Sequence, residues 1–336
     1  MKELRDSGTR GAIAGPRRLA AGLQHPPRMW TLALLFVLSS SLAPAQVSLR
    51  EQLQPAEQAF QEGRYDEAFI RLGAARAAAA EDLEAGRRLE YEAAMFYSYL
   101  GDFATAAMIL DRYLVRAERN GDPNLVAPMA NTLCWAVFAQ GDLDGALAAN
   151  ERVRAVVDKP GVDPGTRIAW LHHYWWDKAY LLREQADRSD SRKKLAAAEE
   201  ARREYMVLAR ESEDTFGIAA IDAFFAGRDG DSKRAAAVAR SVAWADRADV
   251  QDLYIWSVAV ETYDPVAARA LRTRVAEGGY LMVPVYVRAM AEDAIAMAQR
   301  APREQARERL LEIRGYVKAD QALAHRLDAL LARLSN

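Results

Sequence analysis

Gly63-Arg64-Tyr65-Asp66-Glu67-Ala68, Gly101-Asp102-Phe103-Ala104-Thr105-Ala106 and Gly141-Asp142-Leu143-Asp144-Gly145-Ala146 are three copies of one phrase, and a looser fourth reads Gly230-Asp231-Ser232-Lys233-Arg234-Ala235. Each is a glycine, a polar residue, usually an apolar one, and an alanine five places after the glycine. Glycine tolerates the left-handed backbone that stops a helix. The Asp that follows it in three copies offers carboxylate oxygens to the free N–H groups of a helix about to begin. The alanine lets two helices lie close together. The phrase therefore predicts a sharp turn between two antiparallel helices, an αα-hairpin.

Working outward, the alanines at 68, 106, 146 and 235 set a register, and weaker copies place others at 197, 268 and 306, the 268 copy opening with Asp264-Pro265. The steps are 38, 40, 51, 38, 33 and 38 residues, so the spacing is irregular around Asp187–Lys194. Side-chain periodicity agrees independently. Tyr91, Ala94, Met95, Tyr97 and Ser98 recur at helical spacing ahead of Gly101, and Leu310, Leu311, Ile313 and Val317 continue the pattern late in the chain. Leucines at 323, 327, 330, 331 and 334 mark one face of a last helix, with His325, Arg326 and Arg333 outside it. Tyr280–Val287 is rich in β-branched residues, but Pro284 interrupts it, and an irregular entry to a helix beginning near Pro284 is expected instead.

These phrases resemble the tetratricopeptide repeat (TPR) family, whose repeats run to about 34 residues. The resemblance is good over 49–157, irregular over 158–213 and looser over 214–336. It implies an all-α fold, an α-solenoid of about seven antiparallel helix pairs in a right-handed superhelix, closed by a C-terminal capping helix. In such arrays the first helix of each pair lines a concave surface suited to an extended segment or a partner's helix. Carried over in the alanine register, Arg88, Tyr91, Met95, Ser98 and Tyr99 face that groove in the second pair. Asn131, Trp135 and Phe138 do so in the third, and Phe224 and Arg228 in the fifth. Aromatics with arginine and asparagine are the mix found at binding hot spots. Aromatics at helical spacing also serve as core, and a shift of one position exchanges the two roles.

The first 45 residues read as an address. Trp30–Leu42 carries no charge, a basic stretch ending at Arg28 precedes it, and Ala43-Pro44-Ala45 follows. Basic flank, short apolar run and small residues are the parts of a secretory signal peptide. The run falls short of the ~20 residues that span a bilayer, so cleavage between Ala45 and Gln46 is expected, leaving a periplasmic or secreted domain over 46–336. Initiation at Met1 or at Met29 gives the same result.

Composition narrows the function from the other side. The 336 residues are 51% hydrophobic and 27% charged, a balance for folding rather than disorder. Net charge is -2, and because residues 1–45 hold six Lys and Arg against Glu3 and Asp6, the body is more acidic still. A mildly acidic body speaks against nucleic acid. The single Cys134, in an apolar context, reads as a core residue, not a nucleophile. His172 and His173 are adjacent, so they point about 100° apart on a helix and do not form a chelating pair. Carboxylates such as Glu199-Glu200 and Glu211–Asp214 read as solvated faces, and nucleotide-loop motifs are lacking. The expectation is a non-catalytic scaffold or adaptor that binds a protein or peptide partner, with no cofactor and no metal, and with a membrane involved only through export or an envelope partner. The alternative is a small-molecule or glycan binder using the aromatic cluster Trp170–Trp176. The oligomeric state is left open.

Overall fold

A computed structural model of the chain describes residues 44–336 apart from 80–81, 121–122, 242–249, 262, 279–282, 300, 318–319 and 336. The signal peptide read from 1–45 lies outside the described residues except for its last two, Pro44 and Ala45. Among the described residues the regular elements are fifteen helices: α1 (Pro44–Gln61), α2 (Tyr65–Ala78), α3 (Leu83–Tyr99), α4 (Phe103–Asn120), α5 (Pro123–Ala139), α6 (Leu143–Val157), α7 (Pro164–Ser189), α8 (Arg192–Glu211), α9 (Thr215–Arg228), α10 (Ser232–Arg240), α11 (Val250–Glu261), α12 (Pro265–Ala276), α13 (Val283–Ala298), α14 (Arg303–Tyr316) and α15 (Gln321–Ser335). The protein is all-α, and its helices pack mostly against their neighbours in sequence. No helix among the described residues is long and apolar enough to cross a membrane.

The quoted phrases sit at the elbows. Gly63, Gly101, Gly141 and Gly230 take left-handed backbone angles of 77°, 81°, 87° and 74° in φ, each between two consecutive helices. At two of these elbows the residue after the glycine works twice, whereas Arg64 makes no side-chain cap. The N–H of Asp102 donates to the carbonyl of Tyr97 (2.9 Å) and that of Asp231 to Ala226 (2.9 Å), which closes the outgoing helix. The carboxylates of the same residues accept from Thr105 N (3.0 Å) and Arg234 N (3.1 Å), which opens the next helix. Asp142 caps through Gly145 N (2.8 Å), and Asp264 through Ala267 N (2.9 Å). The alanines at 68, 106, 146, 235, 268 and 306 are all 0% exposed, as close helix approach requires.

The seventh alanine of that register is corrected. Ala197 is half-buried, and Ala198 takes the fully buried place. The cause is the length of this pair, 26 residues in α7 and 20 in α8. Asp190, at φ 49°, stands where the four elbows above have glycine, and Ser191 caps in place of aspartate. The residue four after that cap is Leu195, which is exposed, so the helices first approach one turn further in.

Two apolar clusters form the core. A smaller one joins α1, α2 and α3 through Leu53, Phe60, Leu72, Leu89 and Phe96, with the rings of Phe60 and Phe96 stacked at 4.1 Å. The larger runs from α3 to α15. The chief departure from sequential packing is α13, which starts at Val283 with Pro284 in its first turn and touches α3, α5, α11 and α15 as well as α12 and α14. Its Tyr286 ring lies 5.8 Å from Trp135 on α5 and 5.1 Å from Tyr254 on α11. Arg288 donates to Asp320 (2.7 Å) and covers the Phe103 ring at 5.9 Å. Asp320 in turn caps α15 through Leu323 N (2.9 Å) and lies against Gly101. The last helix buries Leu323 and Leu327 and leaves His325, Arg326 and Arg333 in solvent.

Candidate functional site

Alternate helices of the chain, α5, α7, α9, α11 and α13, share one cavity of about 930 Å³. Its wall begins with Phe138 and Gln140 at the end of α5 and continues with Tyr180, Arg183, Glu184 and Asp187 from α7. Arg228 ends α9, Tyr254 comes from α11, and Arg288, Glu292 and Asp293 from α13. Arg326 of α15 closes one side.

The wall is held by ion pairs. The Arg228 guanidinium donates to the buried Glu184 carboxylate and stacks on the Phe224 ring at 5.5 Å. Arg183 donates to Asp187 (2.9 Å) and to Asp229 (2.6 Å), tying α7 to the end of α9. Arg326 donates to Glu292 (3.0 Å), tying α15 to α13. Burial pushes the Glu184 carboxyl up, and Arg228 pulls it back down in part. Burial works against the charge of Arg228 itself, but the carboxylates of Glu184 and Asp293 outweigh it and hold that guanidinium well above its usual range. The Tyr180 and Tyr254 hydroxyls meet at 3.2 Å, and burial raises both. Such a wall offers fixed charges to a ligand, while its aromatic rings, Phe138, Tyr180 and Tyr254, are buried behind them.

The residues assigned to the groove fall into two groups. Phe138 and Arg228 line the cavity, with Phe224 and Trp135 packed directly behind, since Trp135 lies 5.4 Å from Phe138 and Phe224 lies 5.2 Å from Tyr180. Arg88, Tyr91, Met95, Ser98 and Tyr99, all on α3, do not line it. Arg88 pairs with Glu84 (3.0 Å), and the Tyr91 hydroxyl meets Thr132 Oγ1 at 3.1 Å, its buried phenol pushed up to about 12. Met95 and Ser98 are buried, and the half-buried Tyr99 ring meets Phe60 edge-on at 5.1 Å. Asn131 is turned into the protein, where Nδ2 donates to Asp177 Oδ2 (2.5 Å). Met95, Asn131, Trp135, Phe138 and Phe224 are thus buried in this structure, in part because α13 lies over α3 and α5.

In the Trp170–Trp176 cluster, Trp170, Tyr174 and Trp176 are buried, and Trp176 meets Tyr205 edge-on at 5.3 Å. Trp175 is half-exposed, with Arg154 and Lys178 over its ring at 5.3 and 5.2 Å. Cys134 is buried, and burial raises its thiol well above the usual range. Among the described residues no three His, Cys, Asp or Glu side chains are placed to share a metal ion.

Sequence reasoning missed Tyr180, Glu184, Tyr254 and Asp293. No local signal marks the first two, because the run Ala179-Tyr180-Leu181-Leu182 lies between the charged residues Asp177-Lys178 and Arg183-Glu184 like any short apolar stretch of an amphipathic helix. Asp293 carries no local signal, because the return of α13 brings it to the site. No protein-family model matches the chain, and no curated protein matches it.

Proposed function

We propose that this chain is an exported, non-catalytic scaffold of TPR-like architecture that binds a protein or peptide segment in the cavity between its alternate helices. In this reading the helices form about seven antiparallel pairs wound into a right-handed superhelix, with α15 as the polar-faced cap. The observation that carries it is the membership of the wall. Every second helix from α5 to α13 contributes, with only the first turn of α8 (Arg192, Leu195) and Arg326 of α15 added at the rim, and such a majority is what stacked pairs with one inner helix each would give. The fully buried elbow alanines support the same pairing. The charged wall suits a polar segment held by side chains rather than a greasy helix face. The basic, apolar and small-residue sequence of the leader supports export to the periplasm or the outside.

Photo-crosslinking tests the proposal. A benzophenone side chain at Gln140 or Gln299, both exposed and on the cavity wall, is expected to trap a discrete protein adduct in the source cells. The same group at Arg203 or Arg307, exposed on α8 and α14, serves as the control. Adducts of equal yield from all four positions would sink the inner-cavity reading.

A further inference from the structure

A second cavity, of about 330 Å³, lies between α2 and α4 with α3 as its floor, far from the wall described above. That volume is at the small end of ligand-binding cavities. Its two ends differ in chemistry. At one end the rings of Phe69 on α2 and Tyr97 on α3 lie 4.8 Å apart, both half-buried and on the cavity wall. Met108 and Ile109 of α4 continue that apolar side, with Met108 63% exposed. Leu72 and Leu89 are buried beneath. Gly73 leaves a gap in the α2 wall, since a Cβ there would meet nothing within 4 Å.

At the other end, charged groups from all three helices converge on the Tyr113 hydroxyl. Arg76 of α2 donates to it (3.3 Å) and also pairs with the buried Glu90 of α3. Arg112 of α4 lies 5.9 Å from the Tyr113 ring and has no hydrogen bond or ion pair with a described residue. Burial and then Glu90 raise the Tyr113 phenol, while Arg76 and Arg112 both pull it down, as two cations near one hydroxyl must. Glu90 neutralises Arg76, so this end carries one positive charge in excess, that of Arg112. Seven residues, about 10 Å of helix, separate Phe69 from Arg76.

We infer that this cleft binds a small amphiphilic monocarboxylate, with its apolar tail along Phe69, Tyr97 and Met108 and its carboxylate on Arg112. Both halves of such a guest are matched. The apolar side removes the tail from water, and the guanidinium presents paired N–H groups that fit a carboxylate. A span of about 10 Å suits roughly eight bonds of an extended chain, at ~1.2 Å of advance per bond. A cation of the same shape would meet the excess positive charge and be refused. The site shares no residue with the cavity assigned to a protein segment.

Calorimetric titration of the full chain with octanoate, octanol, octylammonium and acetate, all below micelle-forming concentrations, tests the site. Octanoate is expected to bind saturably and roughly tenfold tighter than octanol, the scale of one charged contact. Octylammonium and acetate should show no saturable binding, the first for its charge and the second for want of a tail. Arg112→Gln should bring octanoate down to the affinity of octanol and leave octanol unchanged. Gly73→Leu fills the gap in the α2 wall and should abolish binding of both. Because glycine is a poor helix former, the melting temperature of that variant should hold or rise, which separates a blocked cleft from a damaged fold. Octanoate binding that survives Gly73→Leu lies elsewhere on the molecule, and equal affinity for octanoate and octylammonium removes the role of Arg112. Either result overturns the site, as does an absence of octanoate binding, and none of them touches the segment-binding reading.

Discussion

Asp177 is an acid in a place that supplies only neutral partners. It is 1% exposed on α7, it accepts from Asn131, and Cys134 lies near. Burial raises its carboxyl from 3.8 to about 8, against smaller lowering by hydrogen bonds from Asn131 and Trp135. The folded state thus holds a proton that the unfolded chain releases. Its contribution to stability is complete below about pH 4 and drains away as pH rises to about 8, at up to about 1.4 kcal/mol per pH unit. Urea denaturation at pH 5 and pH 8 should show this loss in the parent protein, and Asp177→Asn should flatten it. A variant with the parent's slope would mean that Asp177 is ionised in the fold. Gly101 and Gly141 make a second pair of opposites. Both need a left-handed backbone, but a Cβ at Gly101 would meet the Asp320 carboxyl carbon at 2.5 Å, whereas one at Gly141 meets nothing within 4 Å. Gly141→Ala should cost about 1–2 kcal/mol for backbone strain, and Gly101→Ala clearly more. Equal costs would show that Asp320 swings aside freely.

Helix ends explain why some elements were legible in the sequence and others were not. The elbows at Gly63, Gly101, Gly141 and Gly230 are local events, written in adjacent residues, and a reader needs only the cap chemistry to find them. The α7–α8 turn does the same work with Asp190 and Ser191, and the phrase dissolved there although the geometry persists. Part of the cavity wall was legible too, since the resemblance to the repeat family, carried over in the alanine register, assigns Phe138 and Arg228 to the groove and both line the cavity. Asp293 was not, because the groups around it, Glu184, Arg228 and Tyr254, come from helices far earlier in the chain. The α8–α9 joint adds a prediction. Glu213 sits at φ 57°, a conformation that a side chain with a Cβ disfavours. Glu213→Gly should therefore raise stability, by up to about 1 kcal/mol, read as an upward shift in the urea midpoint. A downward shift would show that the gain in chain entropy on unfolding, or a lost Glu213 contact, outweighs the strain.

Across the whole molecule the two apolar clusters are unequal, and the smaller depends on α1, α2 and part of α3. Segments with their own small core open independently of the rest. Amide hydrogen exchange should therefore find α1 and α2 opening at lower free energy than α5 to α9, and uniform protection from α1 to α15 would argue for one cooperative unit. The return of α13 to α3 and α5 has a different consequence. A line of helix pairs open at both ends can be lengthened or cut by one pair with little harm. Here the number of pairs between the third helix and the thirteenth is fixed, because Tyr286 must still find Trp135, and Asp320 the bare backbone at Gly101. Inserting or deleting one pair in that interval would carry the two edges past each other, so change in this lineage should come by substitution within the interval and by growth only at its ends.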